Sequence, residues 1–337
     1  MTGNRPTPQE GRVSATPDNA KPQEPRRAAW SSRKPAHAAL FYVGCYLTVS
    51  LIGGQVVAWL ARSATGQYGV GTGTIMLNGV SAAVTLIGAA VLLISLLLVL
   101  SICRLQMSPG RETIWIAAML VVFAAVRPAV FAFVGKWMGH PVAGKHLAET
   151  LSVMPGQLLL GNTALIVWAS FLGRLVSRII REGKLILPVA VVACIADIIT
   201  VFWGIVAHVS KTSPEVVETF SAVAPVVPPP NVSAPILSAV GIGDFLFYAL
   251  FLAVALRYAM RPTATMWATF AVMLVAPIAF YLYPSATGMP GLPLIGAAAL
   301  WANWRFLRFT AEEKQALSLA GMLVLLAAFV LWMALHR

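Results

Sequence analysis

Long apolar runs alternate with short polar segments through most of the chain after residue 35. A helix that crosses a bilayer needs about 20 mostly apolar residues, because each residue adds about 1.5 Å along the helix axis. By this criterion the predicted spans are Ala36–Leu60, Ile75–Ile102, Ile114–Val134, Leu158–Val176, Leu185–Val206, Ile236–Leu256, Met266–Tyr283, Leu292–Phe306 and Leu317–Leu335. The pattern therefore predicts an all-α polytopic membrane protein with about nine transmembrane helices.

The composition agrees with this pattern. Hydrophobic residues make up 58% of the 337 residues and charged residues only 11%, whereas a soluble domain carries roughly 25% charged residues. This balance excludes an ordinary water-soluble globule. A transmembrane β-barrel would show short alternating segments, and the runs here are continuous.

The chain divides into four regions. Residues 1–35 are rich in proline, contain seven basic residues and have almost no apolar side chains, which predicts a disordered tail. Residues 36–184 form a helical region of four predicted spans. Residues 185–306 form a core that contains two membrane aspartates, and residues 307–337 form an extra C-terminal span.

The net charge of +12 would suggest a nucleic-acid partner in a soluble protein. Here the basic residues lie in polar gaps between apolar runs, so membrane topology explains them and no nucleic-acid partner is predicted. With the N-terminus inside, 18 basic residues fall on the inner side and five on the outer side. The positive-inside rule thus predicts an integral multi-pass protein of the cell membrane, in contact with the lipid bilayer, with a cytoplasmic N-terminus and an external C-terminus.

Asp197 and Asp244 are the only acidic residues deep within predicted spans. A carboxylate near the bilayer centre costs about 2.5–3.5 kcal/mol on insertion scales, so two of them need a reason. The two spans are consecutive and antiparallel, and we expect both carboxylates about 12–16 Å from the outer ends of their helices. They can therefore meet at similar depth.

Two carboxylates that face each other in a low dielectric share one proton and titrate as a coupled pair. An aspartic protease has this arrangement, in which one carboxylate activates water and its protonated partner polarises the scissile carbonyl. Two alternative interpretations of the aspartates remain. In the first, each acid is capped separately and helps helices associate. In the second, the pair binds a proton or cation in a non-enzymatic carrier or channel.

The second membrane aspartate lies in the run Gly241-Ile242-Gly243-Asp244, which is followed by Phe-Leu-Phe-Tyr. This run resembles the Gly-x-Gly-Asp signature of the presenilin and signal peptide peptidase family of intramembrane aspartyl proteases. The preceding span contains Asp197, as in the family, but Ala196 replaces the usual tyrosine. Two spans later, Pro290-Gly291-Leu292-Pro293 resembles the Pro-Ala-Leu motif of the family with glycine for alanine. The resemblance covers about 185–306.

The resemblance implies a presenilin-like helical bundle and an endopeptidase that cuts within the membrane segments of single-span substrate proteins. It implies catalytic roles for Asp197 and Asp244, and it implies that no cofactor and no metal is needed. The implied supporting and substrate-binding residues are Gly241, Gly243, Pro290, Gly291, Leu292 and Pro293. We expect both glycines to let a helix or a substrate backbone approach Asp244, and both prolines to leave backbone groups unpaired near the site.

Some features depart from the family. The family usually carries its aspartates on the sixth and seventh of nine spans, whereas they lie here on the fifth and sixth predicted spans. The predicted orientation places the loop 207–235 outside, as in signal peptide peptidases and opposite to presenilins. In the family this loop can add a strand to the unwound substrate. An inactive family member that binds transmembrane helices is a further alternative, and the sequence identifies no partner subunit.

Overall fold

The computed structural model describes residues 35–66, 73–126, 157–202, 221–223, 239–282, 290–315 and a few positions between 317 and 333. Within these ranges the chain is mostly helical. The helices are α1 (Pro35–Gly66), α2 (Gly73–Cys103), α3 (Pro109–Val126), α4 (Gln157–Ser177), α5 (Ile186–Phe202), α6 (Ile242–Arg257), α7 (Pro262–Leu282) and α8 (Leu292–Asn303). Strands β1 (Ser221–Val223) and β2 (Ala239–Gly241) pair antiparallel, with Ser221 opposite Gly241.

The membrane-length helices of the described residues lie between residues 35 and 201. Among the described residues, five helices are long and apolar enough to cross a bilayer: α1 to α4, and the segment Gly183–Val201 that contains α5. They correspond to the first five predicted spans, so the chain is a helical membrane protein. α6 and α8 are shorter, with 16 and 12 residues. Most of the ninth predicted span lies outside the described residues, and the total of nine spans stays a prediction.

Helix α4 lies at the centre of the described bundle and packs against α1, α2, α3 and α6. Its contact with α6 depends on Gly173, because a Cβ atom there would lie 2.2 Å from the carbonyl oxygen of Leu246. Small residues let membrane helices approach closely in this way. The buried core continues from α6 onto α2, where Tyr248, Phe251 and Leu98 are almost fully enclosed.

A buried ion cluster joins α2, α3 and α4 at one end of the bundle. Glu112, in the first turn of α3, is fully buried. It pairs with Arg174 at 2.7 Å and with Arg178 at 2.8 Å. Arg174 also donates a hydrogen bond to the carbonyl oxygen of Ile102 at the end of α2. In the sequence both arginines contribute only to the excess of basic residues on the inner side, whereas in the structure they neutralise a buried carboxylate.

The start of the predicted C-terminal region is attached to the base of α5. Lys184, just before α5, pairs with Glu182 at 3.0 Å and also with Glu313. Thr310 and Glu313 cap the helical segment 311–315 reciprocally, since each backbone N–H donates to the side chain of the other residue. The Thr310–Glu313 capping box therefore marks where this segment begins.

The predicted start of the sixth span is wrong. The apolar run predicted a helix from Ile236, but α6 begins at Ile242 because Ala239–Gly241 forms strand β2. Gly241 has an extended backbone, with φ −63° and ψ 147°, and pairing with β1 satisfies backbone groups that a helix would otherwise use. As a result Asp244 lies in the first turn of α6 and not deep within a long helix.

Candidate active site

Asp244 is held by the backbone at the start of its own helix. The N–H of Gly241 donates a hydrogen bond to Asp244 Oδ2 at 3.1 Å. A carboxylate in the first turn of a helix is stabilised both by such a bond and by the positive end of the helix dipole. The position of Asp244 thus reduces the cost of a carboxylate among apolar side chains.

Asp197 is half-buried on α5 and reaches a different helix. Its Oδ2 atom accepts a hydrogen bond from the N–H of Leu292 at 3.0 Å. Leu292 is the first residue of α8, where backbone N–H groups have no partner within the helix. The structure thus brings one backbone N–H of the proline-containing motif to Asp197, and the role of the two prolines in freeing backbone groups stays a prediction.

Asp244 contacts Gly291, the residue directly before the Leu292 that binds Asp197. A Cβ atom on Gly291 would lie 2.6 Å from both carboxylate oxygens of Asp244 and 2.7 Å from its Cγ. Asp244 therefore packs directly against Gly291, while Asp197 binds the adjacent Leu292. The two aspartates therefore flank one dipeptide.

The glycine that departs from the family motif has a steric role in this chain. Gly291 has φ −83° and ψ −33°, a helical conformation that any residue can adopt. A side chain at this position would meet the Asp244 carboxylate, so the glycine leaves room for Asp244, and backbone freedom is not its role. Pro293 follows in the first turn of α8, where the missing N–H costs no helical hydrogen bond. Pro290 precedes the helix.

The two glycines near Asp244 have different surroundings. A Cβ atom on Gly241 would meet Asp244 Oδ2 at 3.4 Å, which is an ordinary contact, so the observed role of Gly241 is its N–H bond to the carboxylate. Gly243 is exposed, and outside its own helical turn no atom of the described residues lies within 4 Å of the position of its Cβ. The expected approach of a helix or substrate at Gly243 stays a prediction.

Cys194 lies near the site, although its position within an apolar run predicts only a packing residue. It lies one turn before Asp197 on α5, and its Sγ atom is 3.5 Å from the carbonyl oxygen of Leu292. A Cβ atom on Gly296 would lie 3.0 Å from the same sulfur, so α5 and α8 are in close contact here. The spacing of three residues from Asp197 was the available signal, since it places both side chains on one helix face.

Strand β2 ends at Gly241 and leads directly into the turn that contains Asp244. Its partner β1 comes from the loop between the two aspartate-bearing spans, predicted as 207–235. The structure describes only residues 221–223 of that loop. Among the described residues, no group of three or more histidine, cysteine, aspartate or glutamate side chains is arranged to hold a metal ion.

Comparison with known proteins identifies no relative of this chain. No protein-family model, curated protein or solved structure matches the chain. The functional interpretation therefore rests on the residues of the site and on the resemblance of their motifs.

Proposed function

We propose that this chain is an intramembrane aspartyl endopeptidase of the presenilin and signal peptide peptidase type. One observation carries the proposal. The carboxylates of Asp197 and Asp244, from two different helices, flank the single dipeptide Gly291–Leu292. The three sequence segments that resemble the family motifs thus come together at one point of the fold.

In this proposal the pair shares one proton, because two adjacent carboxylates in a low dielectric do not both ionise. The ionised carboxylate takes a proton from a water molecule as the water oxygen attacks the scissile carbonyl carbon. The protonated carboxyl group donates its proton to the carbonyl oxygen, which gives a tetrahedral gem-diol. Proton transfer to the amide nitrogen then breaks the C–N bond and releases a new carboxyl and a new amino terminus.

The proposed substrates are membrane-spanning segments of single-span proteins. Apolar helices carry the aspartate pair, so an apolar substrate segment reaches it from within the membrane region. A helical substrate has to unwind locally first. In an intact helix the carbonyl groups accept hydrogen bonds from the backbone and are shielded by side chains, so the catalytic water cannot attack them. Exposed Gly243, next to Asp244, supports the approach of such a backbone.

The proposal also includes the number of membrane spans and their orientation. We infer a presenilin-like bundle of nine spans, with the N-terminus in the cytoplasm and the C-terminus outside. The support is the unequal distribution of basic residues, 18 on the inner side and five on the outer side. This orientation places β1 and the rest of the loop between the aspartate-bearing spans on the outer side.

The test is cleavage of a labelled single-span peptide by the purified protein in mild detergent, with fragments identified by mass spectrometry. Asp197→Asn and Asp244→Asn each remove one carboxylate at nearly constant volume, and each should abolish cleavage. Asp18→Asn is the matched control, because Asp18 is the only other aspartate in the chain and lies in the predicted tail. The Asp18→Asn protein should cleave the peptide as the wild type does.

Fragments cut within the span, lost in both membrane variants and blocked by a transition-state analogue of aspartic proteases, would support the proposal. Cleavage that persists in a clean Asp244→Asn protein would refute it. Pure folded protein that yields no fragments from varied peptides, but carries protons or cations into liposomes through the same aspartates, would favour the carrier. Binding of the peptides without cleavage or flux would favour an inactive family member.

A further inference from the structure

One end of the described bundle brings the ends of six helices together. The ion cluster around Glu112 joins the end of α2, the start of α3 and the end of α4. Tyr258, directly after α6, donates its hydroxyl hydrogen to the carbonyl oxygen of Ile180, which follows α4, at 2.8 Å. The side chain of Asn303, at the end of α8, accepts a hydrogen bond from the N–H of Arg261, directly before α7, at 2.9 Å. Exposed charges at these helix ends therefore lie at one end of the bundle.

Two exposed tryptophans mark this end of α8. Trp301, in the last turn of α8, is 75% exposed, and Trp304, directly after the helix, is 66% exposed. Their spacing of three residues makes them neighbours on the helix surface. Tryptophan is enriched where the apolar core of a bilayer meets the headgroups, because its ring is apolar and its N–H group is a hydrogen-bond donor. The two rings therefore fit the headgroup region of a membrane.

Three arginines without an acidic partner lie close to these rings. Arg305 and Arg308 follow in the next turns of the chain, and Arg261 is held beside the end of α8 by its hydrogen bond to Asn303. All three arginines are exposed, and none forms a salt bridge within the described part of the chain. Each therefore presents a full positive charge to its surroundings.

The charged residues that follow do not neutralise these arginines. Glu313 is already paired with Lys184, and the exposed charge of Glu312 is offset by Lys314 two positions later. The net charge of this surface is therefore positive. We call it the tryptophan–arginine patch, and its members are Arg261, Trp301, Trp304, Arg305 and Arg308.

We propose that the tryptophan–arginine patch binds the headgroups of anionic phospholipids. A guanidinium group donates paired hydrogen bonds to phosphate oxygens. A zwitterionic headgroup also carries a phosphate, but its own ammonium group cancels the charge, so three unpaired cations favour a lipid with a net negative charge. The exposed rings favour a lipid over a soluble acidic partner, because a membrane surface also receives their apolar faces. This inference does not depend on proteolysis, since it involves neither Asp197 nor Asp244.

Fluorescence quenching in lipid nanodiscs tests the proposal on the full chain. Nanodiscs of phosphatidylcholine contain either brominated phosphatidylglycerol or, at the same mole fraction, brominated phosphatidylcholine, with bromine on the acyl chain near the headgroup. The chain contains ten tryptophans. The signal of Trp301 and Trp304 is therefore the difference between each protein and the same protein with both replaced by phenylalanine. The ratio of quenching by the two brominated lipids measures the local preference for the anionic one.

The wild type should prefer phosphatidylglycerol, and the preference should fall at high salt because salt screens exposed charges. A cation at an anionic membrane surface strengthens binding about fivefold, so Arg305→Gln and Arg308→Gln should each lower the preference about fivefold. Arg111→Gln is the matched control, since it removes an exposed charge at the start of α3, outside the patch, and it should leave the preference unchanged. Quenching by brominated phosphatidylcholine should be the same in every protein, which shows that each one is inserted alike.

Equal quenching by the two lipids in the wild type would overturn the proposal. A preference that persists in both Arg305→Gln and Arg308→Gln would also overturn it. An equal fall in Arg111→Gln would show that the general surface charge attracts the lipid, and not the patch. If a soluble acidic peptide binds the wild type but not Arg305→Gln, and no lipid preference is seen, the patch is a site for an acidic protein and the lipid proposal is wrong.

Discussion

Gly291→Ala is the substitution for which the family motif and the structure make opposite predictions. Alanine at this position completes the Pro-Ala-Leu motif, so the resemblance by itself predicts a neutral or favourable change. In the structure the new methyl group would lie 2.6 Å from both oxygens of Asp244, against 3.4 Å or more for an ordinary contact. The atoms must therefore separate by about 0.8 Å.

Neither neighbour can move freely to make this space. Asp244 is tied to Gly241 at the start of α6, and Leu292, next to Gly291, donates its N–H to Asp197. A shift of either segment therefore changes the position of one carboxylate relative to the other. Overpacking of this kind costs about 1–3 kcal/mol of stability. A displacement near 1 Å in a catalytic geometry costs about a hundredfold in rate.

We expect Gly291→Ala to lower kcat/KM for peptide cleavage about a hundredfold and to lower the free energy of unfolding by about 1–3 kcal/mol. The matched control is Gly44→Ala on α1, where no atom of the described part of the chain outside that helical turn lies within 4 Å of the Cβ position. It should retain activity and gain up to about 1 kcal/mol from the better helix former. A Gly291→Ala protein with wild-type cleavage and stability would show that Asp244 does not pack against Gly291 as described.

Three further predictions concern the buried ion cluster, the Lys184–Glu313 pair and the membrane topology. Glu112→Ala leaves the buried Arg174 without its counter-ion, so we expect thermal or denaturant unfolding to show a loss of about 3–5 kcal/mol, and a loss below about 1 kcal/mol would contradict the buried pair. The hydrogen bond from Lys184 lowers the pKa of Glu313 below its ordinary value, so this pair should stabilise the fold at neutral pH and stop doing so as the pH falls through that lowered pKa. The difference in melting temperature between wild type and Glu313→Gln should therefore shrink toward acid pH, and a constant difference would refute the linkage. Reporter fusions should report a cytoplasmic N-terminus and an external C-terminus, and the same side for both termini would contradict the odd number of spans.

Some features of the site follow from sequence and others do not. The two membrane aspartates were identifiable because a carboxylate in a long apolar run is costly and therefore conspicuous. The start of α6 could not be identified from the sequence, because the apolar run continues from strand β2 into the helix without any change in composition. The ion cluster was also missed, since Glu112 lies more than 60 residues before Arg174 and Arg178 in the chain.

The sequence by itself determined that this is a helical membrane protein, and it located Asp197, Asp244 and the proline-containing motif. These conclusions follow because bilayer thickness imposes a minimum length of apolar chain that can be read locally. Only the tertiary structure decided that the two carboxylates flank Gly291–Leu292, and that a side chain at residue 291 would meet Asp244. Such contacts depend on how α5, α6 and α8 pack against one another, and packing is decided by the shapes of side chains that are distant in sequence.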